Sequence, residues 1–146
     1  MASTLYLIGS LRNQQIPIIA EEFRAAGYDV FDDWFASGPD ADDHWRNYEK
    51  GRGRSYTQAL KESKSGFTQF HFDRSNLDTV DVVVLALPAG KSAHLELGWH
   101  LRSGKPGYIL LDNPERWELM YKLATGVYER VDDIIEAEQA RQRGHR

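Results

Sequence analysis

Glu96 is the residue whose placement most favours chemistry. It follows an apolar run at residues 80–87, a break at Pro88-Ala89-Gly90, and Ser92, a plausible N-cap of a helix. This order puts Glu96 on the first turns of a helix, just beyond the carboxyl end of a central parallel strand, where open α/β sheets bind ligands. A partly buried glutamate there can be a nucleophile toward a sugar carbon. A solvated helix glutamate is the alternative interpretation.

Asp73 and His94 are the other ionisable residues that could share such a site. A second carboxylate is what a glycosidic-bond enzyme needs as a proton donor or hydroxyl-binding group. Asp73 fits that need, although a surface aspartate on the same predicted helix would look the same. His94 stands out only through its closeness to Glu96 in the chain, and a satisfied polar residue is the more common explanation.

The turn after the first predicted strand carries groups that could hold an anion. Gly9 allows a close backbone approach, Ser10 offers a hydroxyl, and Arg12 can pair bidentately with a phosphate or carboxylate. The turn is neither a full dinucleotide fingerprint nor a Walker loop, so alone it favours an ordinary turn with a surface arginine. It should meet the Gly90–Ser92 turn at one edge of the sheet.

Residues 32–55 form a polar segment, rich in tryptophan and aspartate, that is long for a connection. Long ordered loops are more often functional than idle. Trp34 could stack on a base, with a buried aromatic as the equal alternative, and Asp33 beside it is a second candidate for substrate binding. The aspartates lack EF-hand spacing, so a solvated acidic loop is favoured over a metal site, and no metal is expected.

The composition excludes several classes of protein. The length of 146 residues favours a single domain that spans residues 1–146. The formal net charge of −4 argues against a broad nucleic-acid-binding surface. It has no cysteine, which excludes disulfides, thiolate metal sites and a cysteine nucleophile. No secretory signal and no run of about 20 apolar residues is visible, so we expect a cytoplasmic protein that does not enter membranes.

Alternating strand and helix patterns predict an α/β domain. A strand at 4–8, a helix at 14–26 and a strand at 28–31 form a β-α-β unit, which implies a parallel sheet with a right-handed crossover. Further strands are predicted at 80–87, 108–111 and 127–128, and further helices at 56–64, 67–79, 115–124 and 131–142. The helix at 67–79 has as inward candidates Phe67, Phe70, Leu77 and Val80. We expect a three-layer Rossmann- or flavodoxin-like fold with about five parallel strands flanked by helices.

Several of these residues together resemble a known family. The set comprises Leu5-Tyr6 before Gly9-Ser10, Asp73 before Leu77 and Asp81, the apolar run 82–87, and the stretch Ser92-Ala93-His94-Leu95-Glu96-Leu97-Gly98. It resembles the nucleoside 2-deoxyribosyltransferases and their relatives, the 2′-deoxynucleoside 5′-monophosphate N-hydrolases, over roughly residues 4–112. The resemblance implies a five-stranded parallel sheet, a homodimer or higher homo-oligomer, a nucleoside or nucleotide and a nucleobase as ligands, and no cofactor.

The resemblance also implies roles for single residues. Glu96 matches the nucleophile that attacks the anomeric carbon of deoxyribose, and Tyr6 matches the tyrosine that orients that carboxylate. Asp73 matches the aspartate that helps to protonate the leaving base. Gly9, Ser10 and Arg12 match the loop that holds the 5′-phosphate in the hydrolase branch.

The sequence departs from the family at two places. Gly90 stands where transferases of the lactobacillus type carry an aspartate, so Ser92 becomes a candidate for binding the sugar hydroxyl. No counterpart is found for the C-terminal asparagine that those enzymes lend to a neighbouring subunit. Four functions remain open: a deoxyribosyltransferase, a monophosphate N-hydrolase, a non-catalytic nucleotide-binding module and a NAD-cleaving glycosidase.

Overall fold

The fold is built on one five-stranded parallel sheet, seen in a computed structural model that describes residues 2–144. Its strands are β1 (Thr4–Ile8), β2 (Asp29–Phe31), β3 (Val82–Ala86), β4 (Gly107–Leu110) and β5 (Gly126–Tyr128). They lie in the order β2-β1-β3-β4-β5, and every neighbouring pair is parallel. The predicted parallel α/β fold is therefore confirmed.

Helices cover both faces of this sheet. They are α1 (Ile16–Ala25), α2 (Ala41–Gly51), α3 (Tyr56–Glu62), α4 (Lys64–Thr79), α5 (Lys91–Arg102) and α6 (Val131–Gly144), with short 3₁₀ turns at Asp33–Ser37 and Leu119–Leu123. One apolar core lies between the sheet and helices α1 and α6, and a second lies between the sheet and helices α4 and α5. The molecule thus has the three layers that the alternating pattern predicts.

Strand β3 is the central strand of the sheet, and all five of its residues are buried. Its side chains alternate between the two cores: Val82 and Val84 belong to the first, and Val83 and Leu85 to the second. The register of β3 with β1, in which Leu5 pairs with Val82, aligns the carboxyl ends of both strands. The turns after these two strands therefore open at the same edge.

Two helix predictions are wrong, one in where the helix begins and the other in how far it extends. Helix α5 begins at Lys91 with Gly90 as its N-cap, so Ser92 lies inside the helix and is not its cap. The helix predicted at 115–124 is only the 3₁₀ turn Leu119–Leu123. Trp117 is 89% exposed there, and without a buried apolar face a helix lacks the packing that stabilises it.

Residues 32–55 are more ordered than the sequence suggests, since α2 occupies much of them. In the next long helix, α4, Leu77 and Val80 at its C-terminal end are buried as predicted. Phe67 and Phe70, predicted to face inward, are 63% and 59% exposed. The N-terminal half of α4 borders an open cleft rather than the sheet, which explains the difference.

A buried acid on α6 was not predicted. Glu138 is 1% exposed, and it accepts hydrogen bonds from the Tyr108 hydroxyl (2.8 Å), Arg141 Nε (2.7 Å) and Gln142 Nε2 (3.0 Å). This network joins the C-terminal helix to strand β4. Among residues 2–144, no helix combines the length and the apolar character that crossing a bilayer requires.

Candidate active site

A cleft of about 1300 Å³ opens at the carboxyl ends of β1 and β3, between the start of α5 and the helices α2 to α4. The structure brings most of the candidate residues to its wall, namely Tyr6, Gly9, Ser10, Arg12, Trp34, Asp73, Gly90, Ser92 and Glu96. Asp33 is the exception: it is exposed at the start of a 3₁₀ turn and does not line the cleft.

The carboxyl group of Glu96 has one oxygen without a hydrogen-bond partner in the part of the chain that the structure describes. Its Oε2 is buried, and no described residue forms a hydrogen bond with it. Burial, and to a smaller extent the nearby charge of Asp73, raise the pKa of Glu96 to about 7, while hydrogen bonding with Tyr6 acts in the opposite direction. A buried polar atom without a partner is uncommon in folded proteins, and a catalytic role is one of the reasons for such an atom.

Tyr6 lies beneath Glu96 on strand β1, where it is 2% exposed. Burial raises its pKa far above the usual range, and the charges of Glu96 and Asp73 add to this effect. The phenol therefore keeps its proton and is available as a hydrogen-bond donor to the nearby Glu96 carboxylate. The ring packs edge-on against Phe31, with 4.8 Å between centroids, which limits its rotation.

Asp73 reaches the cleft from helix α4. Burial raises its pKa, while the hydrogen bond donated by Gln69 Nε2 to Asp73 Oδ1 (3.0 Å) lowers it. The charges of Asp73 and Glu96 act on one another across the cleft, so ionisation of one disfavours ionisation of the other. Such a pair can present one protonated and one ionised carboxyl group at the same time.

Gly9 has a packing role in the turn after β1. A Cβ atom there would lie 2.8 Å from Ile16 Cδ1 and 3.1 Å from the Ala86 carbonyl oxygen. A larger residue at position 9 would therefore require Ile16 to move and would crowd the end of β3.

The same turn is held by Asn13, a buried residue that was not predicted from the sequence. Its Oδ1 accepts a hydrogen bond from Gln15 N (3.0 Å), and its Nδ2 donates to the Leu87 carbonyl oxygen (3.4 Å). Ser10 Oγ accepts a hydrogen bond from the backbone N–H of Arg12 (3.1 Å). An asparagine shortly before a helix is a recognised turn signal, so Asn13 could have been found.

Arg12 is paired across the cleft mouth rather than free. Its Nη2 lies 3.8 Å from Asp43 Oδ2 on α2, and the other Asp43 oxygen lies 3.6 Å from Arg46 Nη1. The side chains of Arg12 and Asp43 are 70% and 42% exposed, so water screens this pair. An anionic ligand at the cleft mouth can therefore compete with Asp43 for the Arg12 guanidinium.

Trp34 is fixed in the cleft wall, because its Nε1 donates a hydrogen bond to the Leu7 carbonyl oxygen (2.8 Å). It also packs against both apolar cores. The wall opposite α5 carries further aromatic residues, contributed by α2 and α4, namely Trp45, Tyr48, Phe67, Phe70 and His71. The sequence pattern predicts Phe67 and Phe70 in the core, so their position on the cleft is a finding of the structure.

His94 does not line this cleft. Its ring nitrogens lie 2.7 Å from the Gly90 carbonyl oxygen and 2.8 Å from the Tyr121 hydroxyl. His94 is thus a satisfied polar residue that ties the Gly90 turn to the segment after β4. Within the described part of the chain, no group of three or more histidine, cysteine or acidic side chains could hold a metal ion.

No protein-family model matches this sequence, and no curated protein matches it. Several solved chains match this structure, among them the following two. A conserved protein from Enterococcus faecalis V583 aligns with a TM-score of 0.61 at 14% identity, over 97% of this chain and 99% of that chain. The CMP N-glycosidase BcmB of Clostridium botulinum aligns with a TM-score of 0.51 at 13% identity, over 94% of this chain and 99% of that chain. At these identities the likeness establishes an α/β fold that an N-glycosidase also has.

Proposed function

We propose that this protein cleaves the N-glycosidic bond of 2′-deoxyribonucleosides and transfers the deoxyribosyl group to another nucleobase. The observation that carries the proposal is the Glu96 carboxyl group, which lines a large cleft, has one buried oxygen without a hydrogen-bond partner within the described chain, and lies near Tyr6 and Asp73. The fold likeness to an N-glycosidase supports the same reaction class.

In the first half of the reaction, the ionised Glu96 carboxylate attacks the anomeric carbon of the sugar. The bond from that carbon to the base nitrogen breaks, and the electron pair leaves with the base. Asp73, whose pKa is raised by burial, donates a proton to the departing base in the state where it holds the proton and Glu96 is ionised. Tyr6 holds the attacking carboxylate by donating its hydroxyl hydrogen.

In the second half, a nitrogen of the incoming base attacks the same carbon and displaces Glu96 as a carboxylate. Asp73 accepts the proton that this nitrogen loses, which restores the starting enzyme. Two displacements at one carbon retain its configuration. Glu96, Asp73 and Tyr6, which act in both half-reactions, all belong to this chain. The family resemblance implies that the protein works as a homodimer or higher homo-oligomer.

A second candidate function is hydrolysis of 2′-deoxynucleoside 5′-monophosphates, with water in place of the second base. Two observations favour it: the reach of Arg12 at the cleft mouth and the shared fold with a CMP N-glycosidase. A nucleotide-binding module without turnover is the candidate from another class. The three differ in the products that they give from the same incubation.

The test is chromatography of the protein incubated with a deoxynucleoside and a second free base, with deoxynucleoside monophosphates run alongside. The proposal predicts a new deoxynucleoside that disappears in Glu96→Gln and persists in Glu136→Gln, an exposed glutamate of α6. Free base without exchange would favour the hydrolase. Binding in calorimetry with no product for any base would favour the binding module.

A further inference from the structure

The charges on the cleft wall are unequal. Two cationic side chains of the described chain line it, Arg12 and Lys91, against four carboxyl groups from Asp42, Asp43, Asp73 and Glu96. A 5′-phosphate brings about two further negative charges at neutral pH. It would have to find compensation in a cleft that already has more acid than base, whereas a nucleoside brings no charge.

Of these two cationic side chains, Arg12 already faces a carboxylate. Arginine binds phosphate through its planar guanidinium, and the Arg12 guanidinium faces Asp43 at 3.8 Å. Asp43 also faces Arg46 at 3.6 Å, so it occupies a position between two arginines. A phosphate that pairs with Arg12 must either displace the Asp43 carboxylate or accept a like charge close by.

We propose that Asp43 is a specificity-determining residue, which disfavours 5′-phosphorylated substrates by competing for Arg12 and so favours the uncharged 2′-deoxynucleoside. The inference rests on the proposed function and names its substrate class. It also accounts for an arginine at the cleft mouth without requiring a phosphate there. Because the Arg12–Asp43 pair is exposed, its effect is modest. Removing the Asp43 charge should raise the use of the monophosphate relative to the nucleoside about two- to fivefold.

The experiment compares kcat/KM for a deoxynucleoside and for its 5′-monophosphate in the wild type and in Asp43→Asn. We expect the ratio of monophosphate to nucleoside to rise about two- to fivefold in Asp43→Asn and to fall in Arg12→Ala. The effect should shrink in high salt, because ions screen exposed charges. A ratio that is unchanged, or that falls in Asp43→Asn, would overturn the proposal. A fall would mean that Asp43 positions Arg12 for the phosphate.

Asp42→Asn is the matched control. Asp42 precedes Asp43 in the first turn of α2 and also lines the cleft, but among the described residues it is Asp43 that pairs with Arg12. Both substitutions remove one charge from the same helix terminus, so their cost in stability should be similar. We expect the ratio to change less in Asp42→Asn than in Asp43→Asn. Equal changes would attribute the effect to general charge and contradict a specific role of Asp43.

A double-mutant cycle tests whether Asp43 acts through Arg12. In the Arg12→Ala background, Asp43→Asn should change the ratio less than it does in the wild-type background. The same four proteins carrying Glu96→Gln give the two ligands' dissociation constants by calorimetry, without turnover. Absence of Glu96-dependent turnover alongside the expected shift in these constants would reject the proposed function and keep the role of Asp43. Turnover without the shift would do the reverse.

Discussion

The raised pKa of Glu96 predicts that its substitution by glutamine stabilises the protein above neutral pH. An ionised carboxylate is disfavoured in the folded state, where burial and the charge of Asp73 raise the pKa to about 7 from the ordinary value of 4.5. Below about pH 4.5 the group is protonated in both states and costs nothing. Stability is lost as the pH rises above that value, and the full loss is reached above about pH 7. A glutamine side chain at this position carries no charge at any of these pH values, so the variant avoids the loss.

The magnitude follows from the size of the shift. The difference of 7 − 4.5 = 2.5 pKa units corresponds to about 3 kcal/mol, at about 1.4 kcal/mol per unit. Integrating the titration gives a stabilisation by Glu96→Gln of about 1 kcal/mol at pH 5 and about 3 kcal/mol at pH 8. A residue at a functional site can oppose stability in this way.

The assay is urea denaturation of the wild type and of Glu96→Gln at several pH values between about 5 and about 8. Glu136→Gln, on the exposed side of α6, controls for the loss of a charge and should show a small difference that is independent of pH. A constant difference between Glu96→Gln and the wild type over this range would refute the reasoning. It would mean that Glu96 ionises as readily in the folded state as in the unfolded chain.

Three further predictions concern the site and the scaffold. The rate of base release should have a bell-shaped dependence on pH, because Glu96, whose pKa is about 7, must be ionised to attack while Asp73 must hold the proton that it donates; quenched-flow assays of the first turnover check this, and a flat profile would contradict it. Gly9→Ala should lower the free energy of unfolding by about 1–3 kcal/mol, since its Cβ would meet Ile16 and Ala86, whereas Gly90→Ala, with no atom within 4 Å of its Cβ, should cost less in the same urea titration. Tyr108→Phe should lower the free energy of unfolding by about 1–2 kcal/mol, because it removes a hydrogen-bond donor to buried Glu138. Tyr128 is only partly buried, and an equal loss in Tyr128→Phe would count against the network.

The parts of the fold that follow from local patterns were predictable. The β-α-β unit from Thr4 to Phe31 and the apolar run before Pro88 each have one dominant periodicity, and the structure confirms their strands. The predicted start of α5 was wrong because its N-cap is Gly90 and not Ser92. Ser92 is the better side-chain cap, but the turn from the end of β3 is completed at Gly90, which is a tolerated N-cap.

The errors share a cause in tertiary packing. Phe67 and Phe70 have the spacing of core residues, and only the position of α4 over the cleft shows that they face outward. Glu138 has the pattern of a surface acid, and its burial depends on Tyr108, thirty residues away in the chain. Such partners cannot be found from local patterns, because they meet only when the sheet and α6 are assembled.

Most of the candidate site residues line one cleft, while their roles stay predictions. Asp73 and Glu96 are candidates from the sequence pattern, and Tyr6 joins them through the family resemblance. The structure places all three on one cleft. The pairing of Arg12 with Asp43 could not be predicted in the same way, because the two residues lie on different elements that meet at the cleft mouth. The distance between them depends on how α2 is placed in the assembled fold.

The central claim is that Glu96 forms a covalent bond to the sugar. The most direct test is mass spectrometry of protein quenched with acid during reaction with a deoxynucleoside, in the absence of an acceptor base. The account predicts a mass increase of one deoxyribosyl group, located on the peptide that contains Glu96, which disappears when an acceptor base is added. Stoichiometric release of base without such an adduct, or an adduct on another residue, would contradict it.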